Sequence, residues 1–325
     1  MGVRTAPGQR VSEGTGLTSL GLPAALVLTG AISVQAGAGV ANRLFSQLPP
    51  AAVTALRLWA AALILLIIGW RGAWRAVSGL AGRRAWPDTV ATVSFGIALG
   101  VMNFAIYQSF ARIPLGIAVT IEFLGPLAVA VAGARRLASL LWVALAAGGV
   151  LLLAQGSGGR LNLAGVGFAL VSAAGWAGYI VLSRATGQRI AGASGLVIAM
   201  CVAAALVTGP GVAAGGAKMF RPAFLATGAG IGLLSSVIPY WLEFEALRRV
   251  PPRVFGVWMS MQPAVAALIG LALLGQRLGL AEWAGICCVV VASGGAARGG
   301  GSHANSARAQ DSAHAQDSAR AEKEL

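Results

Sequence analysis

Charge is what this chain has least of. Only 10% of its 325 residues are Asp, Glu, Lys or Arg, against roughly 25% in an ordinary soluble domain. With a hydrophobic share of 57%, that scarcity excludes a soluble enzyme. The net charge of +14 does not point to nucleic acid either, because the basic residues sit in the gaps between apolar runs, where membrane orientation accounts for them. Cysteine is scarce too. Cys201, Cys287 and Cys288 all fall inside apolar runs, so they offer neither a disulfide framework nor a metal-ligand spacing. The two histidines, His303 and His314, lie in a polar tail and read as solvated side chains. No H-E-x-x-H, G-x-S-x-G or phosphate-binding loop occurs, and no Asp stands in the interior of an apolar run. An enzyme is not expected, nor is a metal or cofactor.

What is abundant is small and apolar. Forty-six glycines suit membrane helices that approach one another closely. Apolar runs of about 17 to 25 residues read as spans, and ten can be placed: 20–42, 51–70, 88–109, 113–133, 138–155, 163–183, 194–214, 223–247, 253–274 and 279–297. The expected fold is therefore an all-α membrane protein, each span satisfying its own backbone inside the bilayer. The first run is long enough to cross and reads as a retained helix rather than a cleaved leader.

Lys and Arg alternate in density from gap to gap. One set of gaps holds Arg4, Arg10, Arg71, Arg75, Arg83, Arg84, Arg135, Arg136, Arg184, Arg189, Arg248, Arg249 and Arg253. The other holds Arg43, Arg112, Arg160, Lys218, Arg221 and Arg277. Thirteen against six puts both termini in the cytoplasm. Residues 1–19 form a short cytoplasmic segment, and the tail 298–325, ending "SARAQDSAHAQDSARAEKEL", has the small, polar, repetitive composition of disorder.

Sliding the chain by 137 residues lays "RIPLGIAVTIEFLGPLAVA" (112–130) over "RVPPRVFGVWMSMQPAVAA" (249–267), matching Arg112 to Arg249, Pro114 to Pro251 and Pro126 to Pro263. A shift of 141 lays "GAGVANR" (37–43) over "GYIVLSR" (178–184). Two five-helix repeats, 20–155 and 163–297, are expected. Five is odd, so the halves face opposite ways across the membrane, the construction of many secondary transporters, whose substrate sits at the midplane between halves.

These stretches, with "VTALRL" (53–58), "MNFAIYQS" (102–109), "GWAGYI" (175–180), "PYWLEFEAL" (239–247) and "VFGVWMSMQPAVAALIG" (254–270), resemble the EamA branch of the drug/metabolite transporter superfamily. Within it they are similar to the bacterial threonine and homoserine exporters. The resemblance implies an inner-membrane carrier of ten helices, with inverted halves, exporting small amino acids. Two departures stand out. Such exporters tend to have Glu where this chain has Gln262, which cannot carry a proton, and an apolar residue where it has Glu245.

Polar residues inside spans are the candidate site. Glu122 sits about 13 Å deep at 1.5 Å per residue, where an ionised carboxylate costs about 2.5 to 3.5 kcal/mol on insertion scales. It must be paired, hydrated or protonated. It serves either as a substrate-ammonium or proton site or as a structural bond between helices. Arg57, about 9 Å from the outer end of its span, is either its ion-pair partner, an anchor for a substrate carboxylate, or a snorkelling side chain. Gln35, Asn103, Tyr107, Trp176, Tyr179, Tyr240 and Gln262 supply the few polar groups an otherwise apolar pocket needs, or hydrogen-bond between helices. Pro126, Pro239 and Pro263 mark bends with a freed carbonyl. Glu243 and Glu245 read together as an interfacial cluster beside Arg248, Arg249 and Arg253, or as a cytoplasmic gate. The partners expected are a small-molecule substrate, the lipid bilayer and protons.

Overall fold

The protein is seen as a computed structural model that describes residues 18–80, 86–132, 137–156, 161–190, 193–250 and 252–298. Nearly all of the N-terminal segment 1–19 and of the tail 298–325 lies outside the described residues, as do Arg83, Arg84, Arg135, Arg136 and Arg160.

The described chain is helical throughout, with no strand. We number the segments α1 (Thr18–Leu44), α2 (Pro50–Leu80), α3 (Trp86–Phe110), α4 (Leu115–Glu122 continued by Leu124–Ala132), α5 (Leu137–Gly156), α6 (Leu163–Gly187), α7 (Ser194–Gly215), α8 (Pro222–Gly232, Leu233–Val237 and Ile238–Leu247), α9 (Pro252–Met259 and Gln262–Leu274) and α10 (Leu280–Arg298). Nine helices among the described residues are long and apolar enough to cross a membrane. The apolar part of α5, Leu140–Gln155, is shorter. The helix at α2 outruns the apolar run expected at 51–70. Trp70, Trp74 and Val77 recur at helical spacing there and carry the helix past the apolar core of the span.

The surface inverts the soluble rule. Leu63, Ile67, Ile68, Leu141, Leu151 and Leu268 point outward, while Gln35, Arg57, Asn103, Glu122 and Gln262 are buried. Lipid can solvate the first group. Only protein or a polar cavity can solvate the second.

Helix α3 packs on α6 and α7; α8 packs on α1 and α2; α2 meets α7; and α4 lies between α6 and α9, which also touches α1. Small residues permit these approaches. A Cβ on Gly149 of α5 would lie 2.7 Å from the carbonyl of Gly285 in α10, and one on Gly285 would lie 2.6 Å from the carbonyl of Gly149. Only glycine fits either position.

Candidate functional site: a central cavity between interrupted helices

Three helices lose their regular hydrogen bonding at the centre of the bundle, each just before a proline. In α4 the interruption is at Phe123, ahead of Pro126; in α9 it is at Ser260–Met261, ahead of Pro263. Proline donates no hydrogen bond to the carbonyl four residues back, which frees those of Glu122 and Met259. In α8 a π turn covers Leu233–Val237, and the Ile238 N–H reaches the Leu233 carbonyl. The next donor in that register would be residue 239, which is Pro239. Ser33 of α1 replaces it, its Oγ donating to the Leu234 carbonyl at 2.7 Å.

These interruptions face a cavity of about 520 Å³. Its walls are largely apolar, from residues such as Met102, Phe123, Leu127 and Met259. All nine polar or aromatic residues expected at the site line it: Gln35 on α1, Arg57 on α2, Asn103 and Tyr107 on α3, Glu122 on α4, Trp176 and Tyr179 on α6, Tyr240 on α8 and Gln262 on α9. Pro126 and Pro239 line it as well; Pro263 is buried behind it. The cavity reaches toward the ends of α6 and α8 that carry Arg184, Arg248 and Arg249, where Ala130, Glu243, Phe255 and Ala297 form its walls. At the other end Tyr107 packs on Phe110 and Phe45, with ring centroids 5.6 and 6.1 Å apart.

Glu122 accepts a 2.5 Å hydrogen bond from Ser172 Oγ of α6, which also lies 2.9 Å from the Met102 carbonyl. A serine hydroxyl has one proton for these two acceptors. When Glu122 itself carries a proton, it can donate to Ser172 and leave the serine proton for Met102; when ionised it competes for that proton. The close approach rests on Gly125, since a Cβ there would collide with the Ala173 backbone.

The Arg57 guanidinium lies over the Tyr107 ring, 5.0 Å from its centroid, and one Nη is 3.5 Å from Ser236 Oγ. Among the described residues no carboxylate pairs with it, and its Nε has no partner. Of the three readings of Arg57, the ion pair with Glu122 is not formed. Gln35 and Gln262 join α1 to α9 through their amides at 3.3 Å, and Asn103 donates to the Leu99 carbonyl at 2.8 Å. Among the described residues, six buried side-chain polar atoms have no partner, and five of them belong to residues around the cavity: Gln35 Oε1, Arg57 Nε, Tyr107 OH, Ser235 Oγ and Ser293 Oγ.

A family model described as the EamA-like transporter family matches residues 163–296. The threonine/homoserine exporter RhtA of Salmonella typhimurium is 37% identical over 279 residues, covering 84% of this chain and 90% of that protein. That of Escherichia coli is 36% identical over 276 residues, with the same 84% and 90% coverage. The chain belongs to the EamA-like transporter family. A Bacillus subtilis protein described as the uncharacterized transporter YwfM is 28% identical over 153 residues, 46% of this chain and 52% of that one. One crystal structure is similar in fold alone, with a TM-score of 0.55 and 21% identity over 84% of this chain and 96% of the other.

In this EamA-family chain the sequence reading errs on one acid and misses three serines. Glu243 does not join the interfacial cluster; it lines the cavity. Only Glu245 pairs with the neighbouring arginines, at 2.5 Å to Arg249 and 3.5 Å to Arg248, and the hydrogen bond from Arg249 holds its carboxyl below the usual carboxylate range. Two residues apart on a helix means nearly opposite faces. Ser235, Ser260 and Ser293 also line the cavity. A serine in a span can bond back to its own helix, as Ser260 does to the Val257 carbonyl at 2.7 Å, so its presence alone marks nothing.

Proposed function

We propose that this transporter exports small amino acids such as threonine or homoserine across the bacterial inner membrane. The observation that carries the reading is a buried, acid-free guanidinium and a carboxylate facing one apolar-walled cavity. Arg57 stays charged at any relevant pH, and its planar fork matches a substrate carboxylate. Glu122 takes the ammonium group, or a proton when the substrate has left. The relatives named as threonine/homoserine exporters supply the substrate class.

Transport proceeds by alternating access of two inverted five-helix halves, 20–155 and 163–297, with α5 as the tenth span. Its 20 residues rise about 30 Å, the thickness of the hydrocarbon core. Packing supports the inversion. Exchanging α1–α5 with α6–α10 turns the contact of α3 with α6 into that of α8 with α1, α3 with α7 into α8 with α2, and α4 with α6 into α9 with α1, all of which occur. The glycine contact between α5 and α10 maps onto itself. The arginine bias supports a cytoplasmic side for both termini and for the cavity's arginine-bearing end.

Uptake of labelled threonine into proteoliposomes, with homoserine and larger metabolites as competitors, tests the reading. Saturable uptake blocked by homoserine is expected. Equal competition by unrelated metabolites would favour a broader metabolite or drug exporter, and absence of saturable uptake would defeat the amino-acid reading. Proton antiport through Glu122 requires that collapsing the pH gradient slow export; no change would leave facilitated diffusion.

A further inference from the structure

Glu243 is a second carboxylate in the cavity, and the reading above gives it no task. It sits near the cytoplasm-facing end of the cavity by that reading, on the same face of α8 as Tyr240, three residues away. Among the described residues it has no hydrogen bond or ion pair, because Glu245 takes Arg248 and Arg249. Tyr179 and Tyr240 line the same cavity, Tyr240 one helical turn from Glu243. A carboxylate flanked by tyrosines presents negative charge and aromatic faces together, the surroundings an ammonium group prefers.

Its position along the cavity also bears on substrate length. Arg57 meets α8 at Ser236, and Glu243 follows seven residues later, about 10 Å along the helix axis. The cavity volume of about 520 Å³ lies well inside the range of roughly 300 to 1,000 Å³ that holds drug-sized ligands, so threonine does not fill it. We propose that Glu243, with Tyr179 and Tyr240, forms a cation subsite that takes the side-chain ammonium of a diamino acid such as lysine or ornithine while Arg57 holds its carboxylate. This rests on the assignment of Arg57 and Glu122 to an amino-acid substrate. It widens the substrate class from small neutral to basic amino acids.

The test has two arms on the purified, reconstituted full chain. Binding of lysine is measured directly by thermal shift and calorimetry, which needs no threonine transport. Inhibition of labelled threonine uptake by lysine and by unlabelled threonine is then compared for wild type, Glu243→Gln and Glu243→Asp, each first shown to be monodisperse. The wild type is expected to bind lysine, and Glu243→Gln to weaken lysine about tenfold more than threonine, as loss of one charge-assisted hydrogen bond predicts. Glu243→Asp should recover part of that selectivity. Absence of lysine binding, or equal weakening of both ligands in Glu243→Gln, would overturn the subsite. Lysine binding without threonine uptake would leave the subsite standing and remove the threonine reading.

Discussion

The polar contacts that tie α4 and α9 across to α6 and α1 differ in what they can do. Glu122 of α4 bonds Ser172 of α6 at 2.5 Å, while Gln262 of α9 bonds Gln35 of α1 at 3.3 Å. Shifted by 137 residues, the α4 and α9 interruptions coincide at 123 and 260, and Gly125 falls on Gln262. In α4 the glycine lets the backbone press against Ala173; in α9 a glutamine fills the equivalent place and reaches across with its amide. The proline-broken framework recurs in both helices, but only the α4 contact holds an ionisable group. An amide pair joins helices without exchanging protons. The asymmetry assigns charge chemistry to α4 and a fixed polar bond to α9.

The largest effect is expected where neither contact compensates. Arg57→Met removes the only guanidinium that the described residues bring to the cavity wall and should lower kcat/KM for threonine uptake about 100-fold or more, the loss of two charge-assisted hydrogen bonds. Threoninamide, which lacks the carboxylate, should then compete as well as threonine does. Glu122→Gln makes the α4 contact resemble the α9 one, and uptake should fall about 30-fold, the cost of one charged partner; adding Gln262→Glu should not restore it, because Ser172 and Gly125 have no counterpart beside α9. Gly125→Ala forces α4 away from Ala173 and separates Glu122 from Ser172. Initial uptake rates should drop about tenfold and the melting temperature should fall, as expected for overpacking by a methyl group. Gln35→Ala should cost only about threefold in KM, since interhelical hydrogen bonds in membranes average about 0.6 kcal/mol. An effect of Gln35→Ala as large as that of Glu122→Gln would erase the distinction between the two contacts.

Much of this site is legible in the sequence because polarity inside a span is costly and therefore placed. All nine residues expected there, from Gln35 to Gln262, line the cavity. What sequence does not carry is the rotation of one helix against another. Arg57 and Glu122 are at compatible depths, yet the guanidinium turns onto Tyr107. Glu243 and Glu245 are neighbours in sequence, yet helical geometry points them to different sides. The π turn in α8 was hidden as well: Pro239 signals a bend, but the rescue of the Leu234 carbonyl by Ser33 depends on a residue 201 positions away. The fold class followed from run lengths, and the interruption at Phe123 fell within what reads as one continuous apolar span.

In the proposed mechanism Glu122, hydrogen-bonded to Ser172 and facing the cavity with Arg57, couples transport to protons. Threonine uptake into proteoliposomes, driven by an imposed pH gradient and compared between wild type and Glu122→Gln at matched reconstitution, tests it most directly. The wild type should accelerate with the gradient, and the variant should show slow uptake indifferent to it. A variant that keeps the full gradient response would contradict the claim and place the proton elsewhere.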